Sequence, residues 1–162
     1  MTPSAAGNPA ESEDGAEPPF ALVLPFRPIS SQSSGRVAYQ ARVRRAAVEA
    51  FGDRSPLEGP LYARVTYLHL GPSTQDIDNI LKRLLDALKG VVYADDGTIR
   101  QCLVERIAIA ERFVVAQQHQ PPGIVGQLIG LLAAEHPHIT YIEVGHATDQ
   151  VVWFGPIRGE VG

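Results

Sequence analysis

The sequence predicts an α/β (α+β) fold, a mixed β-sheet flanked by helices in a single domain behind a disordered N-terminal tail. Segments of strand and helix character alternate from residue 20 onward, the order that builds such sheets and their covering helices. The clearest helix, 77–88, repeats Ile80, Leu81, Leu84, Leu85 and Leu88 on one face, so that face must be buried. With 162 residues, 44% of them hydrophobic, the chain is long enough for one real core.

Residues 1–19 are rich in Pro, Gly, Ala, Ser and Glu without an aliphatic pattern, so they cannot bury enough surface to offset ordering and read as a disordered acidic tail. The apolar run 20–26 (FALVLPF) is a short strand, stopped by Pro25 and Pro28. The stretch 36–51 (RVAYQARVRRAAVEAF) lacks Gly and Pro and is expected to be a helix that ends at Gly52. A second strand is expected over 61–70 and a third over 98–109, with Ile99, Leu103 and Ile107 on one side. Weaker signals give a helix at 123–134 and strands at 139–144 and 151–154. The expected division is a tail (1–19), a core (20–110) and a helix-and-strand extension of the same domain (111–162).

No run approaches the roughly 18 apolar residues of a membrane span, and the N-terminus lacks the layout of a secretory signal, so a cytoplasmic protein is expected. The single Cys102 admits no internal disulfide and reads as a small apolar strand residue. A net charge of −4 argues at first against nucleic acid. Yet the acids Glu11, Glu13, Asp14 and Glu17 all lie in the tail, and without them acids and bases balance. Between Phe20 and Val48 stand five arginines, Arg27, Arg36, Arg42, Arg44 and Arg45, and no acid. Arg27, Arg36, Arg42 and Arg45 are the candidate DNA contacts; the bland alternative is a solvated helix face with Arg45 paired to Glu49.

The informative stretch is 76–96, DIDNILKRLLDALKGVVYADD. A strand, a turn and a helix start put Asp76 and Asp78 where a sheet edge meets solvent, with Lys82 one turn further on the same face. Asp96 lies in the turn into the next strand, and the expectation is that the chain folds it back toward Asp76. Three converging carboxylates repel one another unless a cation neutralises them, and Mg²⁺ (or Mn²⁺) prefers such oxygen ligands. That chemistry suits phosphodiester hydrolysis, with Lys82 neutralising charge on the phosphate. The bland reading is equally explicit: Asp76 or Asp78 as a helix cap, Asp78–Lys82 and Lys82–Asp86 as surface pairs, and Asp95-Asp96-Gly97 as an ordinary turn.

The pattern D-x-D-N-x-x-K-x-x-x-D-A-L-x-G followed by D-D resembles the signature of the RusA family of Holliday junction resolvases. The likeness extends less strongly over 20–110, through LPFRPIS, the arginine-bearing helix and the strand before the motif. It implies a RusA-like fold and a homodimeric, Mg²⁺-dependent endonuclease for four-way junctions or related branched DNA in recombination and repair. It also implies Asp76, Asp78 and Asp96 as metal-binding catalytic carboxylates and Lys82 as the catalytic lysine. The chain departs from the family pattern at 71–75 (GPSTQ), where such resolvases often carry Lys or Arg, and beyond about residue 110, where no likeness is seen.

The alternative is a branched-DNA-binding or partner-binding protein that keeps the fold without cutting; a nuclease for linear DNA or RNA is third. Asp86 reads as structural, paired with Lys82 or Arg83. Asp95 either supports Asp96 or caps the turn. His136 and His138 read as loop histidines, with a zinc pair the weaker alternative. His69 either packs at its strand end or reaches the site, Tyr39 packs or stacks on a base, and Trp153 and Phe154 mark an edge strand or dimer contact.

Overall fold

In the computed structural model, residues 17–29, 34–111, 113, 115, 123–148 and 154–155 are described. They form β1 (Phe20–Leu24), α1 (Arg36–Phe51), β2 (Leu61–His69), α2 (Ile77–Leu88), a short 3-10 turn (Asp96–Thr98), β3 (Ile99–Ala108), α3 (Ile124–Ala133) and β4 (His138–His146). The expected elements are present to within a residue or two, save the strand at 151–154, which lies outside the described residues except for the exposed Phe154. The tail expectation also lies outside them, except that Glu17 forms an ion pair with Arg54 at 2.6 Å.

The sheet is mixed, in the order β1-β4-β2-β3. β4 runs antiparallel to both β1 and β2, whereas β2 and β3 are parallel and are joined by α2 as a crossover. One face of the sheet carries α1 and α2 over the main core, which includes Leu61, Val65, Ile142 and Val144. The other face meets α3 in a smaller cluster around Leu68, Ile124 and Ile139. β1 is buried throughout because Phe20, Leu22 and Leu24 enter the first cluster and Ala21 and Val23 the second.

Each helix is seated by its stripe. In α1, Tyr39, Val43, Ala47 and Phe51 recur every fourth residue and are buried. Phe51 packs edge-on to Phe20 and Tyr39 edge-on to Phe26, so α1 runs antiparallel to β1. In α2, Ile80, Leu84 and Leu88 are fully buried beside Ala87 and Arg83, with Leu81 and Leu85 half-buried. At about 2 kcal/mol per buried aliphatic side chain, that stripe outweighs the few tenths per residue that helix propensity contributes.

Ile99, Leu103 and Ile107 do not share one side, contrary to the sequence pattern. Leu61 pairs with Ile99 but Tyr62 pairs with Gln101, so Arg100 is an extra residue in β3. One inserted residue reverses the alternation. Ile99 therefore joins Val104 in the main core, while Ile107 faces the second cluster. Cys102 lies in β3 as expected but is exposed.

Gly145 in β4 marks a close approach. A Cβ there would stand 2.8 Å from Tyr62 Cε1 and 3.0 Å from Pro19 Cβ. The Tyr62 hydroxyl, with that of Tyr141, donates to the buried Glu143 carboxylate, so the ring is not free to withdraw. Gly145→Ala is expected to destabilise the fold by about 1–3 kcal/mol, read as a lower thermal midpoint in circular dichroism. An unchanged midpoint would show that the ring yields without cost.

Candidate active site

The C-terminal ends of β1, β2 and β3 and the start of β4 meet at one end of the sheet, and α2 begins there. The connection 70–75 is tied down by its neighbours. His69 Nδ1–H donates to the Gly71 carbonyl at 2.5 Å, Leu70 N–H to the Pro137 carbonyl at 3.0 Å, and Gln75 N–H to Ser73 Oγ at 3.3 Å. Arg106, near the end of β3, donates from Nη1 to the Gln75 carbonyl at 2.7 Å. The backbone is thus held in place immediately before Asp76.

Asp76 occupies the cap position of α2, yet its side chain makes no capping hydrogen bond. Asp78, in the first turn, accepts only the adjacent Asn79 N–H, at 2.9 Å. Both acids are exposed, as is Lys82 one turn later. Among the described residues, neither Asp78–Lys82 nor Lys82–Asp86 forms an ion pair. The surface pairs are therefore not formed, Asp76 does not cap, and Asp78 serves a single free N–H of the first turn. Gln75 adds a buried Oε1 that accepts no hydrogen bond.

Asp96 is elsewhere. Its carboxylate accepts a hydrogen bond from Lys89 Nζ at 3.3 Å, beyond the last turn of α2, and Asp95 approaches the same ammonium at 3.9 Å. The Asp95 carbonyl also takes the Thr98 N–H and hydroxyl, which fixes the turn. A parallel β2–α2–β3 crossover places the turn before β3 at the opposite end of the helix from the loop after β2. The 12 residues of α2 span about 18 Å, so Asp96 does not fold back onto Asp76 in the same chain. Among the described residues no group of three or more His, Cys, Asp or Glu is placed to hold a metal ion. One chain thus offers Asp76 and Asp78 at the start of α2, oxygen donors of the kind hard divalent cations take, and a third carboxylate at the far end of the helix.

The arginines divide. Arg27 follows β1, and Arg36 opens α1 beside it, so both belong to the Asp76 end. The Arg42 guanidinium lies 3.9 Å above the centre of the Phe26 ring, a cation–π contact that leaves it at the surface. Arg45 is exposed on α1 without an ion pair to Glu49. Arg44 donates to the Lys89 carbonyl at 2.7 Å and joins α1 to the end of α2. The opposite end of the sheet carries Asp95 and Asp96 together with Asp53, which follows α1. Both ends carry both signs, with Arg27, Arg36 and Arg106 beside Asp76, Asp78, Glu111 and Glu135 at one, and Arg54, Lys89 and Arg100 beside Asp53, Glu58, Asp95 and Asp96 at the other.

Sequence patterning singles out His69 and His138 separately but not Tyr67, which joins them at the Asp76 end. The Tyr67 hydroxyl lies 2.8 Å from His138 Nδ1, with the two rings stacked 6.1 Å apart and His69 on Tyr67 at 5.5 Å. Burial raises the Tyr67 pKa, with a Ser73 hydrogen bond and the charges of Arg27 and Arg106 working against it. Burial lowers the His138 pKa, and Arg27, His136 and His69 push the same way. His136 Nδ1–H donates to the His138 carbonyl at 2.9 Å, so this pair forms a turn. Alternation along β2 already put Tyr67 and His69 on one side; what it lacked was the strand that brings His138 opposite. Tyr39 keeps its ring on Phe26 and its hydroxyl is buried without a hydrogen-bond partner, so it packs within the domain.

No curated protein matches the chain. The family description endodeoxyribonuclease RusA matches residues 30–117, which is more than half of the sequence and covers α1 through the Asp76–Asp96 motif and all of β3. That span contains the tied loop, Asp76, Asp78 and Lys82, and on this match the chain belongs to the RusA endodeoxyribonuclease family and is a nuclease.

Proposed function

We propose that this nuclease is a Mg²⁺-dependent endonuclease selective for four-way junctions or related branched DNA, and that it acts as a homodimer. The observation that carries the reading is the state of Asp76, Asp78 and Lys82. They stand exposed on the first turns of α2, Asp76 and Lys82 spent neither on capping nor on pairing and Asp78 only on the N–H of its neighbour, at the end of the sheet that carries Arg27, Arg36 and Arg106. Mn²⁺ is the expected substitute for Mg²⁺.

A divalent cation bound there would supply an acidified water and charge stabilisation for the leaving 3′ oxygen. Asp76 and Asp78 would hold it, while Lys82 offsets the negative charge that builds on the phosphate. Hydrolysis would leave a 5′ phosphate and a 3′ hydroxyl. Arg27 and Arg36 are placed to hold backbone phosphates near this point, with Arg42 and Arg45 along α1 extending the contact.

The position of Asp96 supports the dimer. A second chain related by a two-fold axis that reverses the direction of α2 brings the Asp96 end of one copy to the Asp76 end of the other. Each active site then combines Asp76, Asp78 and Lys82 of one chain with Asp96 of its partner.

The test uses labelled four-way junction, linear duplex and single-stranded DNA, each with Mg²⁺ and with chelator. Paired nicks in the junction only, and only with the metal, are expected. Equal cutting of linear duplex overturns the selectivity, cutting in chelator overturns the metal dependence, and binding without cutting favours a non-cleaving DNA-binding protein on the same fold.

A further inference from the structure

At the Asp76 end, Arg27, Arg106 and His138 gather around Tyr67. Arg106 spends one nitrogen on the Gln75 carbonyl and leaves the rest of its exposed guanidinium open. Arg27 is exposed and near enough to Tyr67 and His138 to bias both electrostatically. Among the described residues, neither arginine has a carboxylate within ion-pair distance.

The polarity of the hydrogen bonds follows from their partners. Tyr67 stays protonated because burial raises its pKa, and its oxygen receives the Ser73 hydrogen bond. Its own hydrogen is then free to go to His138 Nδ1, 2.8 Å away. A neutral His138 with Nδ1 accepting carries its proton on Nε2 and presents it as a donor. The cluster therefore holds two guanidinium groups and an imidazole N–H, and among the described residues neither guanidinium is spent on a carboxylate. The position beside Asp76 is the one where the loop 71–75 itself contributes no cation.

Resting on the nuclease reading above, we propose that Arg106, Arg27 and His138 form a subsite for a DNA backbone phosphate flanking the cleaved one, with Tyr67 aligning the histidine. The planar guanidinium of Arg106 suits a phosphate's paired oxygens, and its bond to Gln75 couples that contact to the backbone carrying Asp76. The subsite supplies from β1, β3 and β4 the charge that the loop lacks.

The experiment is binding of a fluorescent synthetic four-way junction, in chelator, across a range of salt concentrations. Arg27→Gln and Arg106→Gln are each expected to weaken binding about tenfold near 0.1 M salt and to lower the slope of log affinity against log salt by about one. Arg106→Lys is expected to restore the slope. Arg27→Gln guards against a folding artefact, since Arg27 makes no hydrogen bond to the loop. Slopes equal to wild type in both Gln variants overturn the subsite, even where the wild type cuts junctions normally. Reduced slopes with a wild type that cuts no DNA support the subsite and sink the nuclease reading instead.

Discussion

Asp78→Asn is expected to lower the rate of junction cleavage on the order of a thousandfold while leaving junction binding intact or tighter. The side chain keeps its size and can still accept the Asn79 N–H, so the start of α2 has no structural reason to change. What is lost is one negative oxygen ligand at the proposed metal position. What is gained is the removal of a charge that repels the phosphate backbone when no metal is present. Single-turnover cleavage and a binding titration on the same preparation separate the two. Normal cutting by the variant refutes the site assignment, and loss of binding in step with cutting refutes a metal-ligand role for Asp78.

A mixture of Asp76→Asn and Asp96→Asn chains is expected to regain nicking that neither has alone. If each active site draws Asp76 from one chain and Asp96 from its partner, a mixed dimer has one site with both residues intact and one with both substituted. Random assortment makes half of the dimers mixed, so about a quarter of the wild-type sites return. The recovered product is a junction cut in one strand, since each mixed dimer has a single working site. Sites built wholly within one chain admit no recovery, because every copy then carries a defect. Co-refolding the variants and following single-strand nicks decides between these arrangements.

The contrast between the strands and Asp96 shows what the sequence reveals. The stripes of α1 and α2 and the apolar run of β1 are local patterns, and burial follows them closely. The direction in which β3 pairs with β2 is not local. Read as a turn that doubles back, Asp95-Asp96-Gly97 brings its acids home; read as the end of a parallel crossover, it carries them to the far end of the helix. The same residues serve both. The extra residue at Arg100 was equally hidden, since neither Gly nor Pro marks it and only the partner strand reveals the doubled step. Arg106 is not singled out and His138, expected in a loop, opens β4, because the significance of both depends on neighbours from β1 and β2. The state of Asp76, Asp78 and Lys82 belongs to the same class: spacing permits caps and pairs, and only coordinates show that the pairs do not form and that Asp78 alone serves a first-turn N–H.

The place of β4 in the sheet has a consequence for synthesis. It is the last of the four strands to leave the ribosome, yet it lies between β1 and β2, so Phe20 waits for Val144 before either finds its neighbour. Until then β1 has no strand partner, and the nascent chain must keep FALVL from wandering into aggregates or foreign edges. The segment 30–117 that defines the family lacks both β1 and β4, so expressed by itself it would be an open crossover with its central edge bare. Closure of the sheet is thus a late, long-range event, and slow refolding from denaturant is the expected signature.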